Sequence, residues 1–356
     1  MPIDHQAQDQ TPAVSVSGTG PVLVTGAAGF IGMHVCTALL ERGFDVVGLD
    51  NLNTYYDPSL KSARLKRLAW YRKFSFYKLD ISDQLEVLKC FEYERPSLCV
   101  HLAAQAGVRH SIKDPFSYRD SNLSGHLAIL EACRQVETVE HLVYASSSSV
   151  YGERPMESKG FSEADPVSEP ASFYAATKRA CELMSTSYSN LYGMRQTGLR
   201  FFSVYGPWGR PDMAYYIFAD RARLGLPVDV YNGGEMQRDF TYIDDVVEGI
   251  LGVCAYSADP GENRILNIGG DEPVPLMEMI ACMEENLGVI LEKNFLPKQA
   301  GDVLTTHADI SRIRNMCGYV PRTRLEEGIS RFAEWYRSYY AFQSAAQISL
   351  VSENGS

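Results

Sequence analysis

Tyr174-Ala175-Ala176-Thr177-Lys178 sets a phenol and an ammonium at the i, i+4 spacing that puts both on one face of a helix. A cation beside a phenol lowers its pKa from about 10 towards neutrality, which makes Tyr174 a usable general base. Upstream, Ser146-Ser147-Ser148-Ser149-Val150-Tyr151-Gly152 closes an apolar run and offers hydroxyls to the same reaction. Near the start of the chain, Leu23-Val24-Thr25-Gly26-Ala27-Ala28-Gly29-Phe30-Ile31-Gly32 spaces glycines as G-x-x-G-x-x-G between a strand and a helix. This pattern is a phosphate turn. Gly26 makes the bend, Gly29 lets backbone approach a pyrophosphate, Gly32 lets helix pack on strand, and the helix N-terminus supplies N–H donors. Asp50, eighteen residues past Gly32, ends the next predicted strand. A carboxylate there accepts from both adenosine ribose hydroxyls and repels a 2′-phosphate, so the dinucleotide expected is NAD and not NADP.

These groups meet only if strand ends gather at one edge. Apolar runs predicted as strands (22–25, 46–49, 74–79, 98–102, 141–146 and 196–201) alternate with segments of helical period (30–42, 82–94, 118–135 and 173–192), the βαβ signature of a parallel sheet. The fold expected is α/β: a Rossmann-type doubly wound parallel sheet with a smaller C-terminal α/β substrate-binding lobe. Ligands of open α/β sheets bind at the carboxyl ends of the strands. Asp80-Ile81 and Leu102-Ala103-Ala104-Gln105, which end the third and fourth strands, therefore fall beside the dinucleotide, though each also reads as a plain strand-ending turn. After Gly206 short strands (228–231, 239–242 and 264–268) interleave with helices (213–224, 243–256, 276–287 and 325–340). The division expected is a tail over 1–20, an NAD-binding domain over 21–205 that includes the Tyr/Lys helix, a mainly substrate-binding lobe over 206–340 and a tail over 341–356. Phe332, Trp335 and Tyr336 recur at packing intervals and read as core. Arg109, Arg210 and Arg238 lie in predicted loops at one edge, suited to an anionic ligand and equally to structural salt bridges.

Composition bounds the partners. The 356 residues carry 33 Lys and Arg against 44 Asp and Glu, a net charge of −11, which disfavours nucleic acid and anionic membrane surfaces. No run approaches the length of a membrane span, and Met1–Gly20 lacks the basic start and apolar centre of a secretion signal. The eight cysteines are scattered with no C-x-x-C pair, so free thiols in a reducing, cytoplasmic compartment are expected, with no metal site.

Over about residues 21–340 the chain resembles the extended short-chain dehydrogenases/reductases, in particular their nucleotide-sugar epimerase and dehydratase group. The segments that carry the likeness are Asp50-Asn51-Leu52-Asn53-Thr54-Tyr55-Tyr56-Asp57, Gln105-Ala106-Gly107-Val108-Arg109, Val204-Tyr205-Gly206-Pro207-Trp208-Gly209-Arg210-Pro211-Asp212-Met213-Ala214 and Arg238-Asp239-Phe240-Thr241-Tyr242-Ile243-Asp244-Asp245. Within that group the likeness is greatest to enzymes that invert C4 of UDP-glucuronate. It implies that Ser147 assists Tyr174, that Lys178 also binds the nicotinamide ribose, that Arg238 meets the diphosphate, and that Asp302 lies near the uridine ribose. It further implies a UDP-hexuronic acid substrate met by Arg109, Ser147, Ser148, Ser149, Ser203 and Arg210, and a role in carbohydrate metabolism that feeds polysaccharide biosynthesis. A homodimer built from the helices near 118–135 and 173–192 is implied as well. Dehydratase relatives carry Asp-Glu where this chain has Ser148-Ser149, and galactose epimerases carry Asn where it has Ser203. Epimerisation of UDP-glucose or an N-acetylhexosamine, decarboxylation of UDP-glucuronate, and a non-catalytic NAD sensor stand as alternatives. The last is disfavoured by intact Tyr174, Lys178 and Ser147.

Overall fold

The computed structural model describes residues 20–153, 160–299 and 301–353, with side chains described as far as 341. All of the tail expected over 1–20 except Gly20 lies outside those residues.

Strands rich in Val, Leu and Cys form the centre because apolar side chains on both faces can be buried only under helices. β1 (Val22–Thr25), β2 (Val46–Asp50), β4 (Leu98–His101) and β6 (Gln196–Phe201) are buried end to end. With β3 (Phe74–Lys78), β5 (His141–Ser147) and β10 (Asn263–Ile268) they make one seven-stranded parallel sheet in the order β10-β6-β5-β4-β1-β2-β3. The winding reverses between β1 and β4, which opens a crevice at the carboxyl ends of the strands.

The connecting helices are α1 (Phe30–Glu41), α2 (Pro58–Leu68), α3 (Gln84–Glu94), the short α4 (His110–Lys113) and α5 (Pro115–Tyr118), α6 (Gly125–Gln135) and α7 (Phe173–Tyr192). The predicted helix over 118–135 is divided, with a π-helical turn at Arg119–Ser124 between α5 and α6. No helix was expected between β2 and β3. α2 forms there because Asp57 caps the Ser59 amide and Pro58 sits in its first turn, yet it buries Lys61 and Arg64 beside two leucines, so it carries no apolar stripe.

The second lobe holds two small sheets. β7 (Ser203–Tyr205), β9 (Gln237–Tyr242) and β11 (Pro273–Pro275) form one, and β8 (Val228–Tyr231) with β12 (Lys293–Leu296) the other. Around them lie α8 (Ala214–Leu224), α10 (Leu276–Leu287), α11 (Ser311–Cys317) and α12 (Leu325–Glu353). Two expectations are corrected. The run 264–268, placed with the small lobe, is β10, which pairs with β6 from Asn263↔Gln196 to Ile268↔Phe201 and so ends the main sheet; α9 (Ile243–Ala255) packs on α1 beside it. Pairing partners are set by backbone contacts that sequence order does not record. The tail expected from 341 is helical through Glu353, since no Gly or Pro interrupts α12 after Gly328 and Ala and Gln recur along it. The aromatic residues of α12 pack as expected, Phe332 edge-on to Tyr215 and Trp335 against Trp208. Among the described residues no helix is long and apolar enough to cross a membrane, and all eight cysteines are buried free thiols.

Candidate active site

One cavity of about 420 Å³ runs along the carboxyl edge of the sheet. Its first wall is backbone. Gly26 holds φ +73°, and a Cβ on it would stand 2.9 Å from the Ala103 amide nitrogen; a Cβ on Gly32 would collide with the Gly26 carbonyl. The N-terminus of α1 has no capping side chain on Gly29 and no acid in its first turn, which leaves its amides free for an anion. Gly29, Phe30, Ile31 and Gly32 line the cavity, as do Asp50 and Asn51 at the end of β2, Ile81 after β3, and Leu102, Ala103, Ala104 and Gln105 after β4. Asp50 Oδ2 accepts from the Ala28 amide (3.2 Å), Oδ1 accepts from the Leu52 amide (2.8 Å), and Lys61 Nζ stands 3.8 Å from Oδ1. Two expected cofactor residues stand off this wall. Ala28 is buried behind it, and the exposed Asp80 spends its carboxylate on Asn51 Nδ2 (2.8 Å) and the Ser82 amide (2.9 Å), so it orders the loop around Asn51.

α7 and the end of β5 bring Tyr174, Lys178, Ser147, Ser148 and Ser149 onto the same cavity. Lys178 is buried and donates to the Ala145 carbonyl (2.9 Å). Tyr174 packs edge-on to Tyr118, with ring centroids 6.0 Å apart. Ser147 Oγ donates to Ser149 Oγ (3.1 Å), and no Ser147–Tyr174 hydrogen bond is present among the described residues. One turn beyond Lys178, the buried Glu182 is held by both Nε and Nη2 of Arg200 on β6 (2.8 and 2.9 Å) and by Ser146 Oγ on β5 (2.6 Å), which fixes α7 in register with the sheet. Burial raises the Glu182 pKa, but the Arg200 charge and hydrogen bonds outweigh it and hold the carboxyl below its ordinary value. Asn122, in the π-helical turn, pairs with both backbone groups of Gln105 (2.8 and 3.1 Å) and donates to Thr177 Oγ1 (3.0 Å), tying the cofactor loop to α7.

The facing wall carries Ser203, Arg210, Arg238 and Asp302. Its arginines arrive already paired. Arg210 forks onto Asp212, and Arg238 donates to the carbonyls of Gln237 (2.8 Å), Leu304 (3.0 Å) and Val303 (2.7 Å). Arg109 stands off the wall, half exposed, bound to Asp302 Oδ2 (2.9 Å) and lying over the Tyr231 ring. Arg109, Asp302 and Arg238 thus form one charged cluster at one end of the cavity, while Arg210 lies within electrostatic reach of Tyr174.

The geometry combines a glycine turn with free helix amides, a carboxylate at the end of β2, a Tyr/Lys/Ser set and a second wall that carries arginines. A family model described as the NAD dependent epimerase/dehydratase family matches residues 22–269. The chain belongs to that family. It is 44% identical to UDP-glucuronate 4-epimerase 1 of Arabidopsis thaliana over 361 aligned positions that cover 97% of this chain and 83% of the relative. Among solved structures, UDP-glucuronic acid 4-epimerase from Bacillus cereus, in complex with UDP-glucuronic acid and NAD, superposes with a TM-score of 0.84 at 33% identity, covering 90% of this chain and 100% of the other. UDP-glucose 4-epimerase from Thermotoga maritima, with UDP-glucose, gives a TM-score of 0.80 at 30% identity, covering 90% and 99%. Tyr55, Lys61, Arg64, Asn122 and Asp212 of this epimerase, all buried or partly buried around the cavity, carry no role that the sequence alone discloses. Tyr55 and Asp212 lie inside the segments that carried the family likeness, while the others sit on helical turns without a motif.

Proposed function

We propose that this epimerase interconverts UDP-glucuronate and UDP-galacturonate by inverting C4, with NAD as its resident cofactor. The observation that carries this reading is Arg210, a guanidinium on the wall of the cavity that also holds Tyr174, Lys178 and the Ser147–Ser149 hydroxyls. The free amides at the start of α1, the glycine turn that a Cβ would fill and the Asp50 carboxylate at the end of β2 suit the cofactor. Bound there, NAD supplies a reversible hydride acceptor, so that a hydride leaves C4 and returns to the opposite face of the ring.

The chain's own work is proton transfer and grip. Tyr174 takes the C4 hydroxyl proton and gives it back, with Ser147 swinging from Ser149 to relay or steady that hydroxyl. Lys178, one helical turn on, sets its ammonium on the same cavity wall as the phenol. Arg238, with Asp302, holds the UDP end, whose contacts persist while the sugar turns, so binding energy is concentrated away from the reacting ring. Ser148, Ser149 and Ser203 replace the groups associated with dehydration and with neutral sugars, and they offer hydroxyls to the C6 carboxylate. The exposed Leu127 of α6 and Leu183 and Leu191 of α7 support a homodimer through those helices. The buried thiols support a reducing, cytoplasmic setting, and the product is an activated uronic acid suited to polysaccharide biosynthesis. Incubating the purified protein with UDP-glucuronate and separating the nucleotide sugars tests the proposal. UDP-galacturonate is the expected product, and conversion of UDP-glucose alone overturns it.

A further inference from the structure

Arg210 Nε donates to Asp212 Oδ1 (3.0 Å) and Nη2 to Oδ2 (2.6 Å), so one long edge of the guanidinium is committed. The other edge, Nη1 with the second Nη2 hydrogen, has no protein acceptor among the described residues. Asp212 is itself held, since the Tyr55 hydroxyl donates to its Oδ2 (3.1 Å). Tyr55 is fixed in turn, with its ring 4.8 Å from that of His110. The neighbouring loop passes so close that a Cβ on Gly107, at φ +101°, would stand 2.6 Å from the Tyr55 hydroxyl and 3.5 Å from Asp212 Oδ2. The preceding loop is braced by the fully buried Arg64, which donates to the carbonyls of Ala28, Trp208 and Gly209 and to the Tyr56 hydroxyl. Arg210 therefore stands on a supported carboxylate. Burial raises the Asp212 pKa, but Arg210 and the Tyr55 hydrogen bond bring it below the ordinary value, so Asp212 is charged and its pair with Arg210 is electrically neutral.

That neutrality decides what the free edge can do. A net-neutral pair gives a second carboxylate little long-range attraction, and what remains is two directed hydrogen bonds whose strength depends on aim. We propose that Asp212 is a specificity-determining positioning residue: by holding one edge of Arg210 it aims the other at the C6 carboxylate of the sugar. The inference rests on the UDP-hexuronate reading. It gives Asp212 a second consequence, because oxidation at C4 leaves a ketone β to that carboxylate. If the C5–C6 bond turns perpendicular to the carbonyl plane it can break, its electron pair passing to the enolate and CO₂ leaving. A carboxylate gripped by a fixed fork is kept out of that orientation.

Calorimetry on the NAD-loaded protein with UDP-glucuronate and with UDP, together with the CO₂ released per turnover, tests this. Asp212→Ala is expected to weaken UDP-glucuronate about tenfold, to leave UDP within about twofold because its contacts lie at the Arg238 end, and to raise the CO₂ fraction. Tyr55→Phe keeps the carboxylate and the ring packing and is expected to shift both readouts in the same direction, by about threefold. Removing a negative charge strengthens anion binding if charge alone matters, so tighter UDP-glucuronate binding by Asp212→Ala overturns the proposal. Equal losses for UDP and UDP-glucuronate in both variants overturn it too. A wild-type protein that makes no UDP-galacturonate sinks the parent reading, while the contrast between UDP-glucuronate and UDP still decides the role of Asp212.

Discussion

Beyond the carboxyl ends of β1 and β4 the cavity is walled by glycine, small side chains and helix amides, whereas the wall from Ser203 to Asp302 carries arginines already bound to a carboxylate and to carbonyls. The first wall is complete before a ligand arrives, because backbone donors at a helix N-terminus are fixed by the fold. The second is made of side chains, whose aim depends on the partners that already hold them: a carboxylate for Arg210 and three carbonyls for Arg238. One wall is suited to a ligand that stays, and the other to a sugar that must be held, turned and released.

The largest effect is expected where the walls meet. Tyr174→Phe removes the proton carrier while keeping the ring against Tyr118, and turnover should fall by about 10²–10⁴-fold with cofactor content unchanged. Near-normal turnover would remove Tyr174 from the mechanism. Lys178→Ala should lower turnover as well, since it removes the ammonium that lines the cavity one helical turn from the phenol.

Arg210→Ala strikes the side-chain wall alone. It deletes the fork and leaves Asp212 without its counter-charge, so UDP-glucuronate affinity should fall by about 1.5–3 kcal/mol, much more than that of UDP-glucose, and some UDP-pentose should appear. Arg210→Lys should restore only part, because a point charge cannot reproduce two parallel donors. Unchanged affinity would make this arginine structural and favour a neutral sugar. The matching change on the backbone wall is Asp50→Asn, which leaves Lys61 without its acid partner at the place proposed for the adenosine. The preference for NAD over NADP should narrow by roughly tenfold, as expected when a repulsive charge a few ångströms away is removed. An unaltered cofactor ratio, measured by equilibrium binding, would place the discrimination elsewhere.

The same contrast explains what the sequence disclosed. The backbone wall was legible because its chemistry is local: three glycines, one acid and one helix start lie within thirty residues and need no partner to be recognised. Tyr174 and Lys178 were legible because one helical turn fixes their relation. Asp212 has no role legible beside Arg210, because whether an acid two residues away grips that arginine depends on a side-chain torsion and on Tyr55, far back in the chain. Arg64 and Asn122 were silent for the same reason, since their main-chain partners lie 17 to 145 residues away. The run 264–268 was grouped with the small lobe because its partner, β6, is chosen by packing that no local pattern records.

The last effect is on stability and not on catalysis, and it concerns the underside of the backbone wall, where stability and pH are linked. Thr25 Oγ1 accepts from the Ala103 amide (3.0 Å) and shares a hydrogen bond with His101 Nδ1 (2.7 Å). His101 stacks on His126, whose Nε2 meets Ser185 Oγ (2.9 Å). Burial, then the charge of Lys178, pushes His126 down to about 3; burial, then nearby arginines, does the same to His141. Burial, with His126 and Lys178, holds His101 well below its ordinary value. A histidine ionises near 6.5 when unfolded, so below that pH the unfolded chain takes up protons that the folded chain refuses. Their contribution is fully present above pH 6.5 and is lost as the pH falls towards the folded values, with a limiting slope of about 1.4 kcal/mol per pH unit for each histidine. Asp239, pushed up to about 6 by burial, works in the opposite sense between its unfolded value near 4 and 6, and offsets about one of the three. The urea midpoint should therefore drop between pH 7 and pH 5, NAD affinity should weaken with it because Thr25 and His101 tie β1 to β4, and His126→Gln should flatten the drop by one proton. A midpoint constant over that interval would show that these rings are protonated in the folded protein, and that the backbone wall does not depend on their neutrality.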